Sequence, residues 1–241
     1  MVIPIGDEAT GRHLTPYVGY GLIALNVLVW LLQLTAGEAF TNGYATVPFE
    51  ITHGEDLTGT RTVQIGGEAY PIRHFPGPSP IYLTLLTAMF MHGSWMHLIG
   101  NMLYLWIFGD QIESLLGHVR FLAFYLVCGL AASVAQILYS PDAVIPALGA
   151  SGAIAGVLGA YLLKFPRNRV RVLMYRSVTT MPALVVLGLW ILLQIVSQVG
   201  TPAGEASGVA YMAHIGGFVA GVVMIFVLGG GRRGVVARPV T

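Results

Sequence analysis

The sequence is poor in charge. Its 241 residues include 12 Lys and Arg and 11 Asp and Glu, 10% of the chain, where soluble domains carry about 25%. That shortage excludes an ordinary water-soluble globule, and 55% hydrophobic residues exclude a disordered chain as well. There is one cysteine, Cys128, which excludes an intrachain disulfide and a cysteine-based zinc site. Net charge is +1, so nothing favours a nucleic-acid partner. What the chain does have is apolar surface and glycine. Mean hydropathy is +0.73, and the 31 glycines are about 13% of the chain against a usual ~7%. This is the composition of a polytopic helical membrane protein, with the lipid bilayer as its first partner.

Six stretches hold no Asp, Glu, Lys or Arg: 13–37, 74–109, 121–141, 143–163, 177–204 and 206–231. Each can supply the ~20 residues that cross a bilayer. Without the loop His74-Phe75-Pro76-Gly77-Pro78-Ser79-Pro80 and the turn Gly200-Thr201-Pro202-Ala203-Gly204, they predict spans at 17–36, 94–114, 119–140, 148–165, 181–199 and 208–228. Span two carries Asp110 and Glu113 in its last turns, where carboxylates reach the interface. The first span is too long for a signal peptide, and no small-residue cleavage site follows it.

With six spans both termini share a side. That side receives Arg12, Arg120, the cluster Lys164, Arg167, Arg169, Arg171 and Arg176, and the tail Arg232, Arg233 and Arg238, ten positive residues. The other side receives Arg61 and Arg73 only. Positive residues favour the cytoplasm, so residues 1–16 read as a cytoplasmic N-terminal tail and 229–241 as a cytoplasmic basic tail. Between them, 17–228 is an all-α six-helix membrane domain with an external region at 37–93. In that region Thr62-Val63-Gln64-Ile65 alternates, Gly66-Gly67 is a turn dipeptide and Glu68-Ala69-Tyr70 follows, a pattern compatible with a small β-hairpin. Ile81 through Gly93 is apolar but outside span two, and reads as an interfacial or re-entrant helix. The sequence has no internal repeat, low-complexity run or second soluble domain.

Polar groups inside a membrane are costly and therefore functional candidates. Four stand out: His97 and Asn101 on span two, Ser151 on span four and His214 on span six. Spans two, four and six all start on the outer side. Ser151 follows Asp142 by nine residues and His214 follows Glu205 by nine, so the four groups share a level roughly 10 Å below the outer face at 1.5 Å per residue. His97 and Asn101, four apart, project from one face. Gly152 with Gly156, and Gly217 with Gly221, have the spacing that lets membrane helices approach closely. Close approach of spans four and six brings Ser151 within reach of His214. Gly149 beside the serine permits an irregular backbone at the helix start.

These groups suit acyl transfer. A serine hydroxyl needs a base, usually neutral histidine, and the tetrahedral intermediate needs donors on its oxyanion. His97, the Asn101 amide and the Ser151 N–H are the candidates. No carboxylate shares their level: Asp110 is thirteen residues beyond His97, roughly 20 Å deeper. A hydrolase built here works with a dyad. Taken singly, each element also has a structural reading: a packing serine, a helix-bridging histidine, ordinary glycine contacts, a polar clamp. His92 reads as interfacial, with a secondary place near the site. His13, His53, His74 and His118 fall in loops or at interfaces, and Cys128 in the core.

At His97-Leu98-Ile99-Gly100-Asn101, Gly149-Ala150-Ser151-Gly152 and Ala213-His214-Ile215-Gly216-Gly217 through Gly221, the sequence resembles the rhomboid family of intramembrane serine proteases. Glu113 with Gly117, and Phe121 to Tyr125, extend the likeness, which covers about residues 17–228. The resemblance implies a six-helix fold, Ser151 as nucleophile, His214 as base, and His97, Asn101 and the Ser151 N–H as the oxyanion site. It implies a water-filled cavity open to the outer side, gated by span five and a cap loop near 200–207. Substrates would be transmembrane segments of other proteins, cut near the outer face beside a small residue, with no metal and no cofactor. The expected location is a bacterial plasma membrane; the oligomeric state is left open. Two departures stand out. A Trp-Arg pair of the family's first external loop falls here on Leu83-Thr84. A tyrosine four residues after the serine, which stacks on the histidine, is here Ala155, so something else must orient His214. Two other readings compete with this one, a catalytically silent rhomboid-like escort and a small transporter. The first is opposed by the presence of every reacting residue, the second by the lack of intramembrane carboxylates and repeats.

Overall fold

The computed structural model describes residues 2–8, 14–65, 67–200 and 209–229. The expected positions Arg12, His13, Gly66, Glu205, the cap loop at 201–207 and the tail arginines Arg232, Arg233 and Arg238 lie outside the described residues.

In chain order the elements are β1 (Val2–Asp7), α1 (Tyr17–Gly43), α2 (Pro48–His53), β2 (Gly59–Ile65), β3 (Glu68–His74), α3 (Thr84–Thr87, flanked by 3-10 turns at Ile81–Leu83 and Ala88–Phe90), α4 (Trp95–Leu116), α5 (His118–Tyr139), α6 (Ser151–Lys164), β4 (Arg169–Met174), β5 (Ser177–Pro182), α7 (Ala183–Gly200) and α8 (Tyr211–Val227). Among the described residues α1, α5 and α7 are long and apolar enough to cross a membrane, while α6, α8 and the segment Ile81–Phe90 are shorter apolar helices. The chain is mainly helical, as expected for a membrane protein. Gly37 takes φ +79° and breaks the helical path of α1 there, a conformation glycine adopts without a Cβ penalty.

The expectation of an all-α fold with at most a small hairpin between spans one and two needs correction, because the structure holds a three-stranded sheet as well as a two-stranded one. In the first, β1 pairs antiparallel with β4 and β4 with β5. The basic stretch that sequence reading treated only as charge is a strand: Arg169 and Arg171 are exposed while Val170 and Val172 are buried. That alternation is the period-two signature of a half-buried strand. The N-terminal residues, expected as a tail, supply β1. Asp7 accepts from the Tyr161 hydroxyl at 2.8 Å and so ties this sheet to the end of α6. The second sheet is β2 with β3, running from Gly59 opposite His74 to Ile65 opposite Glu68.

Glu113 is the second correction. Expected at the water interface, it is fully buried. Its carboxylate accepts from the Val18 and Gly19 N–H groups at 2.9 and 2.7 Å and lies 2.6 Å from His118 Nδ1. The first turn of a helix has N–H groups without intrahelical partners and a partial positive charge. Glu113 therefore caps α1 from α4, and His118, expected in a loop, completes the cluster.

Glycine sets the helix packing. A Cβ on Gly221 would strike the Gly156 carbonyl, and one on Gly217 the Gly152 carbonyl. On the other side of α6, a Cβ on Gly156 or Gly152 would lie 2.5 Å from the Cβ of Cys128 or Ala132 on α5. Helix α6 is thus in backbone contact with α8 and closely packed on α5. Residues 152–161 of α6 are buried throughout.

The region after α1, expected to be external, is anchored in the bundle. Thr46 exchanges two backbone hydrogen bonds with Ala147, at 2.9 and 2.8 Å, and its hydroxyl donates to the Thr84 carbonyl at 2.8 Å. Glu50 on α2 is buried and accepts from the Leu57 N–H at 3.0 Å. Burial pushes its carboxyl up from 4.5 to about 7, opposed by the Leu57 N–H and helped by the Asp56 charge. Below pH 4.5 the group is neutral whether the segment is packed or loose. Between 4.5 and 7 packing takes up a proton, and above 7 the packed segment holds a buried carboxylate. Its stability is therefore full in acid and falls as pH rises through this window. Limited proteolysis of residues 44–80, corrected for the protease's own pH profile, is expected to accelerate from pH 5 to pH 8. Glu50→Gln is expected to remove that dependence.

Candidate active site

The site is assembled from the starts of three helices. Ser94 begins α4: it is extended, and its hydroxyl accepts from the His97 N–H at 3.1 Å, an N-cap that fixes His97 in the first turn. The Gly93 N–H points to His97 Nδ1 at 3.4 Å. That makes Nδ1 the acceptor and leaves the ring's proton on Nε2. Nε2 in turn faces Gly149, since a Cβ there would lie 2.8 Å away. Gly149 also has φ +131°, so both its conformation and its neighbour require glycine.

Ser151 is the first residue of α6, not an interior residue of a helix beginning at 148 as expected. The difference matters. Its N–H belongs to the helix-start donors without intrahelical acceptors, at the positive end of the helix dipole. The preceding turn is pinned by the Gly149 N–H donating to the Ala88 carbonyl at 2.8 Å. His214 lies in the first turn of α8, where the neighbouring Ala213 N–H donates to Gln136 Oε1 at 3.3 Å. The glycine contacts between α6 and α8 bring the two together: His214 Nε2 is 2.8 Å from Ser151 Oγ.

Asn101 is one turn beyond His97 on α4 and is buried. Among the described residues its Nδ2 has no hydrogen-bond partner. A cavity opens beside Ser151, lined by Gly129, Ala132, Gln136, Leu148, Gly149 and Ala213 together with Thr46 and Pro48 of the segment after α1. The structure thus brings Ser151, His214, His97 and Gly149 together, and sets Asn101 on the face of α4 that carries His97.

Sequence reading missed three polar residues. Gln194 Oε1 on α7 is 2.8 Å from His214 Nδ1. Gln136 holds the backbone beside His214. Gln33 on α1 makes two bonds to the His92 backbone, Nε2 to the carbonyl and Oε1 from the N–H, both 2.9 Å. His92, expected at an interface, is fully buried with its ring 5.1 Å from that of His97. Depth alone does not single out Gln194, since α7 carries two amides, Gln194 and Gln198. The six residues from Gln194 to the end of α7 at Gly200 put it roughly 9 Å from that end, the level expected for Ser151 and His214.

The family model for the Rhomboid domain matches residues 80–231, well over half of the chain. The chain belongs to the rhomboid family. It is 34% identical over 144 residues to RHOMBOID-like protein 5 of Arabidopsis thaliana, covering 60% of this chain and 43% of that one. It is 32% identical over 152 residues to Rhomboid protein 1, mitochondrial, of Saccharomyces cerevisiae, covering 58% and 40%. To Rhomboid protease GluP of Bacillus subtilis it is 44% identical over 85 residues, covering 35% and 16%. The matched part of this chain spans less than half the length of each of these relatives. All three rhomboid motifs lie inside the matched region of the family model, and β1, α1 and the β2–β3 sheet lie before it.

Proposed function

We propose that this rhomboid protein is an intramembrane serine endopeptidase that cleaves transmembrane segments of other membrane proteins near the outer face. The observation that carries the proposal is the 2.8 Å contact between His214 Nε2 and Ser151 Oγ beside a cavity lined by small residues. We read α1, α4, α5, α6, α7 and α8 as six spans, with both termini on the basic face of the membrane. The pairing of β1 with β4 supports this, because it puts the N-terminus beside the connection from α6 to α7. The Thr46–Ala147 bridge supports a common outer side for the external region and the connection from α5 to α6. A bacterial plasma membrane belongs to this reading; the relatives come from a plant, yeast and a bacterium.

In this mechanism Ser151 Oγ attacks the scissile carbonyl carbon as its proton passes to His214 Nε2. The carbonyl oxygen becomes an oxyanion and takes hydrogen bonds from the Ser151 N–H, the Asn101 amide and His97 Nε2–H. Collapse breaks the C–N bond, and His214 returns its proton to the leaving amine. Water then attacks the acyl-serine by the same route, with His214 again as base. Substrates bend out of helix at the cut, because helical carbonyls are already paired. Segments with Gly, Ala or Pro near the cut are therefore the expected substrates.

Fluorophosphonate labelling tests the reading directly. The purified protein is expected to label at Ser151, located by mass mapping, and Ser151→Ala is expected not to label. A wild-type protein that does not label, yet co-purifies with membrane clients, would instead be a silent escort.

A further inference from the structure

The base in this site lacks the neighbour that its family resemblance led one to expect. Four residues after Ser151 stands Ala155, fully buried and unable to reach the imidazole. What holds His214 comes from α7 instead. Gln194 Oε1 is 2.8 Å from Nδ1, and the Trp190 ring lies 5.8 Å from the imidazole, tilted by 41°. Trp190 and Gln194 are four apart and so share a helix face. Ala183 and Leu187 fall on the same stripe and are the buried residues of α7. This stripe is the face that α7 turns towards the bundle, and its polar member meets the base.

An amide oxygen only accepts hydrogen bonds. Its partner Nδ1 must therefore carry the ring proton, which leaves the Nε2 lone pair facing the Ser151 hydroxyl. The opposite tautomer would set Nε2–H against the serine and two lone pairs against each other at Nδ1. With Oε1 turned to Nδ1, Gln194 matches the tautomer that can act as a base, and it does so without placing a charge among apolar residues. We propose that Gln194 is the positioning residue for His214: it fixes the reactive tautomer and ring orientation, and thereby makes the dyad depend on the seating of α7. The proposal rests on the protease reading of Ser151 and His214.

The dependence on α7 follows from its packing. Two of its eighteen residues are buried, so most of its surface faces away from the protein. An outward displacement of α7 removes Gln194 and Trp190 from His214 in one movement. A substrate that reseats α7 would restore both, which couples occupancy of the site to competence of the base.

The test uses the full-length protein in detergent and in liposomes, with a fluorogenic transmembrane peptide. Wild type, Gln194→Leu and Gln194→Glu are compared for kcat, KM, pH profile, thermal midpoint and rate of fluorophosphonate labelling at Ser151. Gln194→Leu keeps the bulk but removes the acceptor. It is expected to lower kcat and labelling rate by about 10- to 100-fold, with KM changed by about two-fold or less. Gln194→Glu keeps the acceptor; it is expected to recover to within a few-fold of wild type and to move the acid limb of the profile to higher pH. Wild-type kcat in Gln194→Leu overturns the proposal. Equal losses in the two variants also overturn it, because they assign Gln194 to packing. A wild-type protein that fails to label removes the reading of Ser151 and the role of Gln194 with it. A labelled wild type beside an unaffected Gln194→Leu removes only the latter.

Discussion

Ser151→Ala and His214→Ala are each expected to lower cleavage of a transmembrane substrate by at least about 10³-fold, and the double variant is expected to be no worse than either. The non-additivity follows from the geometry. Oγ and Nε2 are 2.8 Å apart and act on one proton, so removing either partner removes the whole step. Substrate binding does not depend on that proton, and KM is expected to change little. Neither change is expected to unfold the protein. The helix contacts that join α6 to α8 are made by Gly152, Gly156, Gly217 and Gly221, and Ser151→Ala gives up one hydrogen bond, worth about 1 kcal/mol. Thermal midpoints near wild type beside lost cleavage would support the dyad. Full activity in Ser151→Ala, measured on the same peptide, would remove it.

The helices that build the site were legible because charge is scarce. The charge-free stretches predicted helix ends within three residues of the observed ones, except the end of α1, which runs to Gly43 and not 36, and the glycine pairs gave the partner of α6. Two features were misread for a shared reason: polar residues were classified by charge and depth, not by partner. Arg169 and Arg171 were counted for sidedness, yet their alternation with buried Val170 and Val172 marks a strand. Glu113 was assigned to the interface because a carboxylate belongs near water. Its actual partners are backbone N–H groups of α1, ninety-odd residues away in sequence, and no local pattern announces them.

Gln194 failed to register for a related reason. An amide carries no charge, so it does not interrupt an apolar stretch, and its role appears only when α7 is laid against α8. The segment after α1 shows the same limit. Thr46 pairs with Ala147 through backbone atoms, which side-chain chemistry does not encode, and both residues line the cavity. The long segment after α1 therefore contributes to the wall beside Ser151, which its composition alone did not suggest.

Asn101→Ala is expected to separate activity from stability. Removing a single oxyanion donor costs about 10²- to 10³-fold in kcat. Asn101 Nδ2 is buried with no partner among the described residues, so its truncation breaks no bond from that atom in the resting protein and leaves no new orphan. A buried donor without an acceptor is itself unfavourable by about 1–3 kcal/mol. The alanine variant should therefore melt at the wild-type temperature or slightly above it while turning over far more slowly. His97→Ala should lower kcat in the same direction, but it also gives up the contact with Gly93 and the ring packing on His92, so its midpoint should fall. A structural clamp predicts the reverse for Asn101: a lower midpoint, with activity lost only in proportion to unfolded protein. Measuring kcat and thermal midpoint on one preparation of each variant distinguishes the two. The oxyanion role requires Asn101→Ala to be slow and stable at once.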